Sequence, residues 1–504
     1  MTGSSPIKHV VVLMLENRSF DSILGWLYDK DNKPPRDQPF EGLDGVPPSV
    51  EWQGALYGAI HTSDTAEPAP DPNEPYANMY RQMFNPAFKV GRKVPDAKGK
   101  PAPMNGFMQD YQTAKGVVPD FEGVSKVMSC FYPADLPYMN ALAAEFAVCD
   151  HWYASVPSQT FTNRSFVHAG TASGHVNNVG NFLWWKFIPW FNGTPTMFNR
   201  LHHKHHKIRL YYGGLPFLSN AWIFQDRLHD IPNFTLVHCR ALKDFVEDAK
   251  TAKESEYPSY VFVEPIFLSG FWGAQNDGHP EALRKQQHQG GTILQRADRL
   301  VRDVYNALRS NEELWRSTML VVTFDEFGGT YDHVSPDPQE APPPDRRWPC
   351  WLSPFYSGFK FDRYGGRVPA IVCSPYTERG TVSNDAYDHT SILRTAADLF
   401  LGGKDELGKR TAGARNLLSL LNLDTARDDA LLLPDLNEDA GPFEWELLAD
   451  VELSEMQKAL VIGAKARARK QGHPAYAAIA AHPVRTHRDA WEIVAQLEPA
   501  DARG

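Results

Sequence analysis

Thr160 and Thr162 place two hydroxyls directly ahead of Asn163 and Arg164, within SVPSQTFTNRSFVHAG (Ser155–Gly170). The run SFVHA can continue as a helix. The hydroxyls then fall near a helix N-terminus, where backbone N–H groups and the positive dipole end collect. A hydroxyl so placed suits a nucleophile attacking an anionic phosphate. The plainer reading is a cap, because Ser and Thr ahead of a helix usually close its first turn. Two other stretches bear on the choice. Glu16 and Asn17 follow HVVVLML (His9–Leu15), and Asp325 and Glu326 follow STMLVVTF (Ser317–Phe324). Adjacent carboxylates at the end of a buried strand repel each other, and a divalent cation would resolve that. Carboxylate and amide oxygens suit hard or borderline metals. Gly328 and Gly329 allow close backbone approach beside them. Locally, ENRSFD also reads as a solvated loop in which Asn17 or Ser19 caps a helix beginning near Phe20.

The elements that must position these groups are strands. Both pairs follow continuous apolar runs of strand length, the pattern of parallel strands buried on both faces. In open α/β sheets ligand groups gather at the carboxyl ends of such strands. Ile208–Tyr212, Ser259–Glu264 and Arg367–Tyr376 read as further strands. Helical patterns cover Leu136–Phe146, Met197–His206, Glu281–Leu308 and Tyr387–Leu399. The last opens on Asp388, His389 and Thr390, which include N-cap candidates. Gly273–Pro280 is a turn cluster holding Asp277 and His279, and Asp332 and His333 follow the double glycine. His202, His203, His205 and His206 alternate with Lys204 and Lys207 and read as a solvated basic face rather than a metal site. Residues 29–123 are rich in Pro, Gly, Asp and Asn. Their many aromatics argue for an ordered wrapping segment that walls the site.

Composition narrows the function classes. The 504 residues are 42% hydrophobic and 22% charged, enough for a sizeable core. A net charge of −10 carries no nucleic-acid footprint. The five cysteines show no CxxC or zinc spacing and read as buried thiols. The N-terminal segment does not read as a signal peptide, and no apolar run reaches 18 residues. The default expectation is a cytoplasmic protein, with export as an effector by a signal-independent route left open.

Blocks from Ile7 to Gly402 resemble the bacterial phospholipase C / acid phosphatase phosphoesterase family, and most closely its branch of plant non-specific phospholipases C. They are ENRSFDSILGW (Glu16–Trp26), SVPSQTFTNRSFVHAGTASG (Ser155–Gly174), NDGHP (Asn276–Pro280), TFDEFGGTYDHV (Thr323–Val334), GGRVPAIVCSPYTERGTV (Gly365–Val382) and DHTSILRTAADLF (Asp388–Phe400). The resemblance implies an alkaline-phosphatase-like α/β fold: a mostly parallel sheet with helices on both faces, a metal site at one edge, and here a helical C-terminal region. It implies Glu16, Asn17, Asp325 and Glu326 as metal ligands and Thr160 as nucleophile and further ligand. His279 is implied at the phosphate or leaving group, with His279 or His333 as the proton donor. Asn163, Arg164, Asp277, Asp332 and His389 fall on the substrate side, and Asp388 matches a further motif position. Zinc is the superfamily's suggestion, while calcium or manganese also suits oxygen ligands.

Two positions depart from the family pattern. Thr162 stands where the family has Pro, and Trp152-Tyr153 stands where Tyr-His is frequent. The expected activity is metal-dependent hydrolysis of a glycerophospholipid head-group phosphodiester through a phosphothreonine. A phosphomonoesterase on the same site and an inactive binding protein are the alternatives. The aromatic run NFLWWKFIPWF (residues 181–191) could form an apolar entry and allow transient membrane-surface contact. The expected division is a phosphoesterase domain over 1–430 and a C-terminal helical appendage over 431–504.

Overall fold

HVVVLML forms strand β1 (His9–Leu15), and all seven of its residues are buried. The computed structural model describes residues 5–89, 99–178, 192–281, 290–340, 342–343, 359–403, 407–436 and 444–497. The aromatic run 181–191 lies outside these described residues. Seven more strands join β1 in one sheet. They are β2 (Ala147–Cys149), β3 (Ile208–Tyr212), β4 (Cys239–Ala241), β5 (Tyr260–Val263), β6 (Thr318–Phe324), β7 (Ala370–Cys373) and β8 (Thr381–Ser383). Their spatial order is β8-β2-β7-β6-β1-β5-β3-β4. The five strands β6-β1-β5-β3-β4 run parallel, β7 is antiparallel to both neighbours, and β8 is parallel to β2. The chain is thus an α/β protein with a mostly parallel sheet. Buried Val, Leu and Phe of the central strands each contribute roughly 1.5–3 kcal/mol.

Register explains why the distant pairs Glu16-Asn17 and Asp325-Glu326 meet. Leu15 of β1 lies opposite Phe324 of β6, and the Asp325 N–H donates to the Leu15 carbonyl at 3.2 Å. Both strands therefore end at one level, with Glu16 and Asp325 next to each other. β5 lies on the other side of β1. The loop after it returns so that the Glu16 N–H donates to the Asp277 carbonyl at 2.7 Å.

The helices include α1 (Phe20–Leu24), α2 (Pro137–Glu145), α3 (Thr160–Ala169), α4 (Ile293–Arg309), α5 (Thr390–Phe400), α6 (Glu455–Lys470) and α7 (His487–Leu497). Three sequence expectations are corrected in their bounds. Of the helix expected over Glu281–Leu308, residues 282–289 lie outside the described residues, and α4 itself begins at Ile293, because Gly290 and Gly291 both take left-handed backbone and Thr292 closes the helix with a capping box. The helix expected to His206 stops at His203, and His205 has φ 63°. Of Arg367–Tyr376, only Ala370–Cys373 joins the ladder. Ser19 is the N-cap of α1, as one reading allowed.

A second apolar cluster joins the C-terminal helices to the sheet domain. Met456, Leu460, Val461, Ile493 and Val494 pack with Phe161, Ile223, Phe224 and Phe267. Gly463 allows this approach, since a side chain there would meet Ile223 and Phe224. Among the described residues, no helix is long and apolar enough to cross a membrane.

Candidate active site

Thr160 is the first residue of α3, and Gln159 is its N-cap but makes no side-chain capping bond. Thr160 is therefore not the cap. Its Oγ1 lies 3.4 Å from Glu16 Oε2 and 3.4 Å from Asn17 Oδ1. Thr162 sits two positions on, where a helix has turned by more than half a revolution. Its hydroxyl is buried and makes no hydrogen bond. The two hydroxyls thus face different surroundings.

Three carboxylates and a guanidinium form the floor. Arg164 Nη2 lies 2.7 Å from Glu16 Oε1, and its Nε lies 3.2 Å from Asp325 Oδ2. The same Nη2 donates to the Met14 and Leu15 carbonyls at 3.1 Å each. Asp325 Oδ1 accepts the N–H groups of Asn17 and Glu326 at 3.1 and 2.8 Å. Glu326 Oε2 accepts from the Gly328 N–H at 2.6 Å, while Oε1 is buried without a hydrogen bond. Burial pushes Glu16 well above the usual carboxylate range, and the Asp325 charge adds to this. Glu326 is raised by burial and then by Glu74 and Asp325. Asp325 is also raised, chiefly by burial, with Arg164 opposing. One arginine does not neutralise this group.

Backbone conformation is set by the same residues. Asn17 has φ 58°, a left-handed geometry that Asn tolerates better than most. Gly328 has φ 64°, and a Cβ there would collide with the Asn17 carbonyl.

Asp71 and Glu74, from the wrapping segment, also reach the site, and the sequence reading missed both. Asn17 Nδ2 donates to Glu74 Oε1. The same oxygen lies 3.4 Å from His279 Nε2, and Asp71 Oδ1 lies 3.7 Å from His279 Nδ1. Ligand atoms of Asp71, Glu74 and His279 lie within 4.8 Å of one another, close enough to share a cation. Burial alone would lower the His279 pKa, but Asp71 and Glu74 outweigh it and hold the imidazolium well above its usual range. Asp277 Oδ1 accepts the His279 N–H at 3.1 Å. Burial raises Asp277 to about 6, with the His279 charge opposing. Arg18 was also missed; its Nε donates to the Gly278 carbonyl at 2.8 Å and its Nη1 to the Glu67 carbonyl at 2.6 Å. The only sequence mark of Asp71 and Glu74 is a pair of acids three apart among prolines, which also describes a solvated turn.

His333 and Asp332 join a different cluster. His333 Nδ1 lies 2.7 Å from Asp21 Oδ2, and Arg367 bridges Asp21 and Asp332 at 2.7 and 2.9 Å. Their carboxylate and imidazole atoms also lie within 4.8 Å of one another, but here the buried Arg367 guanidinium pairs with both carboxylates and His333 with Asp21. Asn163 turns back to the loop before α3, accepting the Val156 N–H and donating to the Ser158 carbonyl. Asp388 accepts from Ser155 Oγ at 2.7 Å and from Arg410 at 3.0 Å. His389 accepts the Trp152 indole N–H on Nδ1 at 3.3 Å. Its Nε2 therefore carries the proton and donates to the Asp325 carbonyl at 2.6 Å. Burial lowers its pKa to about 4, with that hydrogen bond opposing, so it is neutral near pH 7.

The profile of the Phosphoesterase family matches residues 7–401. Non-specific phospholipase C3 of Arabidopsis thaliana is 32% identical over 488 residues, covering 92% of this chain and 83% of its own. Non-specific phospholipase C1 of the same plant is 34% identical over 470 residues, covering 90% and 78%. Phospholipase C B of Mycobacterium tuberculosis is 27% identical over 412 residues, covering 77% and 72%. Among solved structures, a protein in the alkaline phosphatase superfamily from Vibrio parahaemolyticus aligns with a TM-score of 0.32 and 14% identity, covering 68% of this chain and 81% of its own. A profile matched over most of the length, and relatives more than 30% identical across nearly all of it, establish that this chain is a member of the phosphoesterase family, a hydrolase of phosphoric esters.

Proposed function

We propose that this protein is a phosphoesterase of phospholipase C type that cleaves the head-group phosphodiester of a glycerophospholipid through a phosphothreonine. The observation that carries the reading is the Thr160 hydroxyl at the start of α3, 3.4 Å from both Glu16 and Asn17. The names of the relatives, plant and bacterial phospholipases C, support the substrate class.

The donor set of Glu16, Asn17, Asp325, Glu326 and Thr160 fits a divalent cation. It is all oxygen, it carries more negative charge than Arg164 offsets, and Glu326 Oε1 is left without a hydrogen bond. A bound cation would supply Lewis-acid stabilisation of the hydroxyl and of charge on phosphoryl oxygens. The chain's own residues do the rest. Thr160 Oγ1 passes its proton toward Glu16 Oε2 and bonds to phosphorus while the alcohol oxygen departs. His279, kept protonated by Asp71 and Glu74, gives its proton to that oxygen. Arg164 holds Glu16 and Asp325 in place. Water then cleaves the phosphothreonine. His279 is preferred to His333 because Glu74 links it to Asn17, whereas His333 belongs to the Asp21 cluster.

The test compares p-nitrophenylphosphorylcholine with p-nitrophenyl phosphate, with and without chelator. Chelator-sensitive diester cleavage is expected. Hydrolysis of the monoester alone would replace the reading with an acid-phosphatase-like one. Turnover of neither would favour a binding protein.

A further inference from the structure

Gln457 lies on α6, beyond the region matched by the family profile. Its side chain nevertheless connects to the loop that carries His279. Gln457 Nε2 donates to Gln275 Oε1 at 3.0 Å and to the Phe267 carbonyl at 3.1 Å. Gln275 Nε2 then donates to both Asp277 carboxylate oxygens, at 2.9 and 3.1 Å. Asp277 Oδ1 accepts the His279 N–H, and the Asp277 carbonyl accepts the Glu16 N–H. All four side chains are buried: Gln457 is 3% exposed, Gln275 6%, Asp277 0% and His279 2%.

The chain of amides has a fixed direction. Gln457 is the third residue of α6, and its Oε1 accepts the Ser454 N–H at 3.0 Å in a capping box. That bond assigns Nε2 as the end facing Gln275. Gln275 must therefore present Oε1 to Gln457 and Nε2 to Asp277. An amide turned the other way would set an oxygen against the carboxylate. The helix cap thus dictates which atom meets Asp277. A second contact runs in parallel, because the ring of Phe267 lies 4.9 Å under the Arg164 guanidinium.

We propose that Gln457 is a positioning residue: through Gln275 and Asp277 it holds His279 at the site, making the C-terminal helix a working part of the phosphoesterase. The proposal rests on His279 acting in the reaction.

Two substitutions in the full-length protein separate positioning from helix stability. Gln457→Glu keeps the oxygen that accepts the Ser454 N–H, but it has no N–H to give Gln275. Ser454→Ala removes the cap hydroxyl and leaves the Gln457–Gln275–Asp277 chain intact. Hydrogen exchange of peptides covering residues 266–279 is measured together with kcat and KM on p-nitrophenylphosphorylcholine and p-nitrophenyl phosphate. For Gln457→Glu, we expect exchange there to quicken about fivefold; the buried carboxylate also lowers the thermal midpoint, as the lost cap does in Ser454→Ala, so both variants are compared with wild type well below their midpoints. We expect kcat to fall about tenfold, with KM within about twofold. Ser454→Ala should lower the thermal midpoint yet leave kcat and the exchange of this loop unchanged.

Unchanged kcat in Gln457→Glu overturns the proposal, whatever the exchange shows. So does a Ser454→Ala variant that loses kcat to the same degree, since helix docking alone would then suffice. If the wild-type protein hydrolyses neither substrate, the reading of the activity falls, and the exchange comparison alone decides whether Gln457 holds the loop.

Discussion

Arg164 Nη2 and Glu16 Oε1 lie 2.7 Å apart, and neither side chain is exposed. Arg164 also meets Asp325 and two backbone carbonyls, so one guanidinium ties α3 to the ends of β1 and β6. Breaking a buried pair by removing one partner leaves uncompensated charge. Arg164→Met should lower stability by about 3–5 kcal/mol. Arg164→Lys should also be destabilising, because an ammonium lacks the planar fork that serves four acceptors. Urea unfolding of both variants checks this, and a loss below about 1 kcal/mol in Arg164→Met would contradict the tie.

Thr160 and Thr162 should behave oppositely. Thr160→Ala should reduce kcat by at least about a thousandfold with little change in stability. Thr162→Val removes a buried hydroxyl that has no partner. It should keep activity and leave stability equal or raise it by up to about 1 kcal/mol. Steady-state rates and thermal melts of the two variants provide the measurement. Near-normal turnover by Thr160→Ala would remove it as nucleophile.

Metal binding should depend on both strand ends. Glu16→Gln and Asp325→Asn should each weaken divalent-cation binding by about tenfold or more and lower activity in parallel. Calorimetric titration of chelator-treated protein with zinc, manganese and calcium reads the affinity and ranks the metals. Full metal content in both variants would refute the ligand set.

Gly328 should be irreplaceable. Its φ is 64° and a Cβ would meet the Asn17 carbonyl. Gly328→Ala should cost about 2–3 kcal/mol and shift Asn17 away from Thr160, lowering kcat as well. An active, fully stable variant would show that the loop can relax.

His168 gives a pH signature. It is buried between Phe198 and Phe262, and neither ring nitrogen has a hydrogen bond. Burial, reinforced by the Arg164 charge, lowers its pKa to about 3. Below pH 6.5 the unfolded chain takes up this proton and the folded chain does not, so stability falls as pH falls. His168→Leu removes that dependence. From pH 6.5 to 4.5 wild type should lose about 2–3 kcal/mol relative to the variant. Denaturant midpoints at several pH values test it, and parallel curves would contradict it.

Much of the site was legible because strand ends carry their chemistry next to their apolar runs. HVVVLML and STMLVVTF announce buried strands, and the residues just beyond them are the ones that meet. Thr160, Glu16 and Asn17 fall together as the sequence reading expected. The resemblance places Arg164 and Asn163 on the substrate side, and in the structure their hydrogen bonds go to Glu16, Asp325 and the loop before α3. A motif marks that a residue is needed, not which neighbour it touches.

By itself the sequence determined the parallel strands, the carboxylate and amide groups at their ends and the hydroxyl at a helix start. These are local patterns of hydrophobicity and residue type, and they survive without knowledge of any distant contact. Tertiary structure alone decided that Asp71 and Glu74 flank His279, that His333 belongs with Asp21, and that Gln457 reaches Asp277 through Gln275. Each of these joins segments separated by about 180 to more than three hundred residues. Their pairing depends on how loops close over the sheet, and no local periodicity encodes that closure.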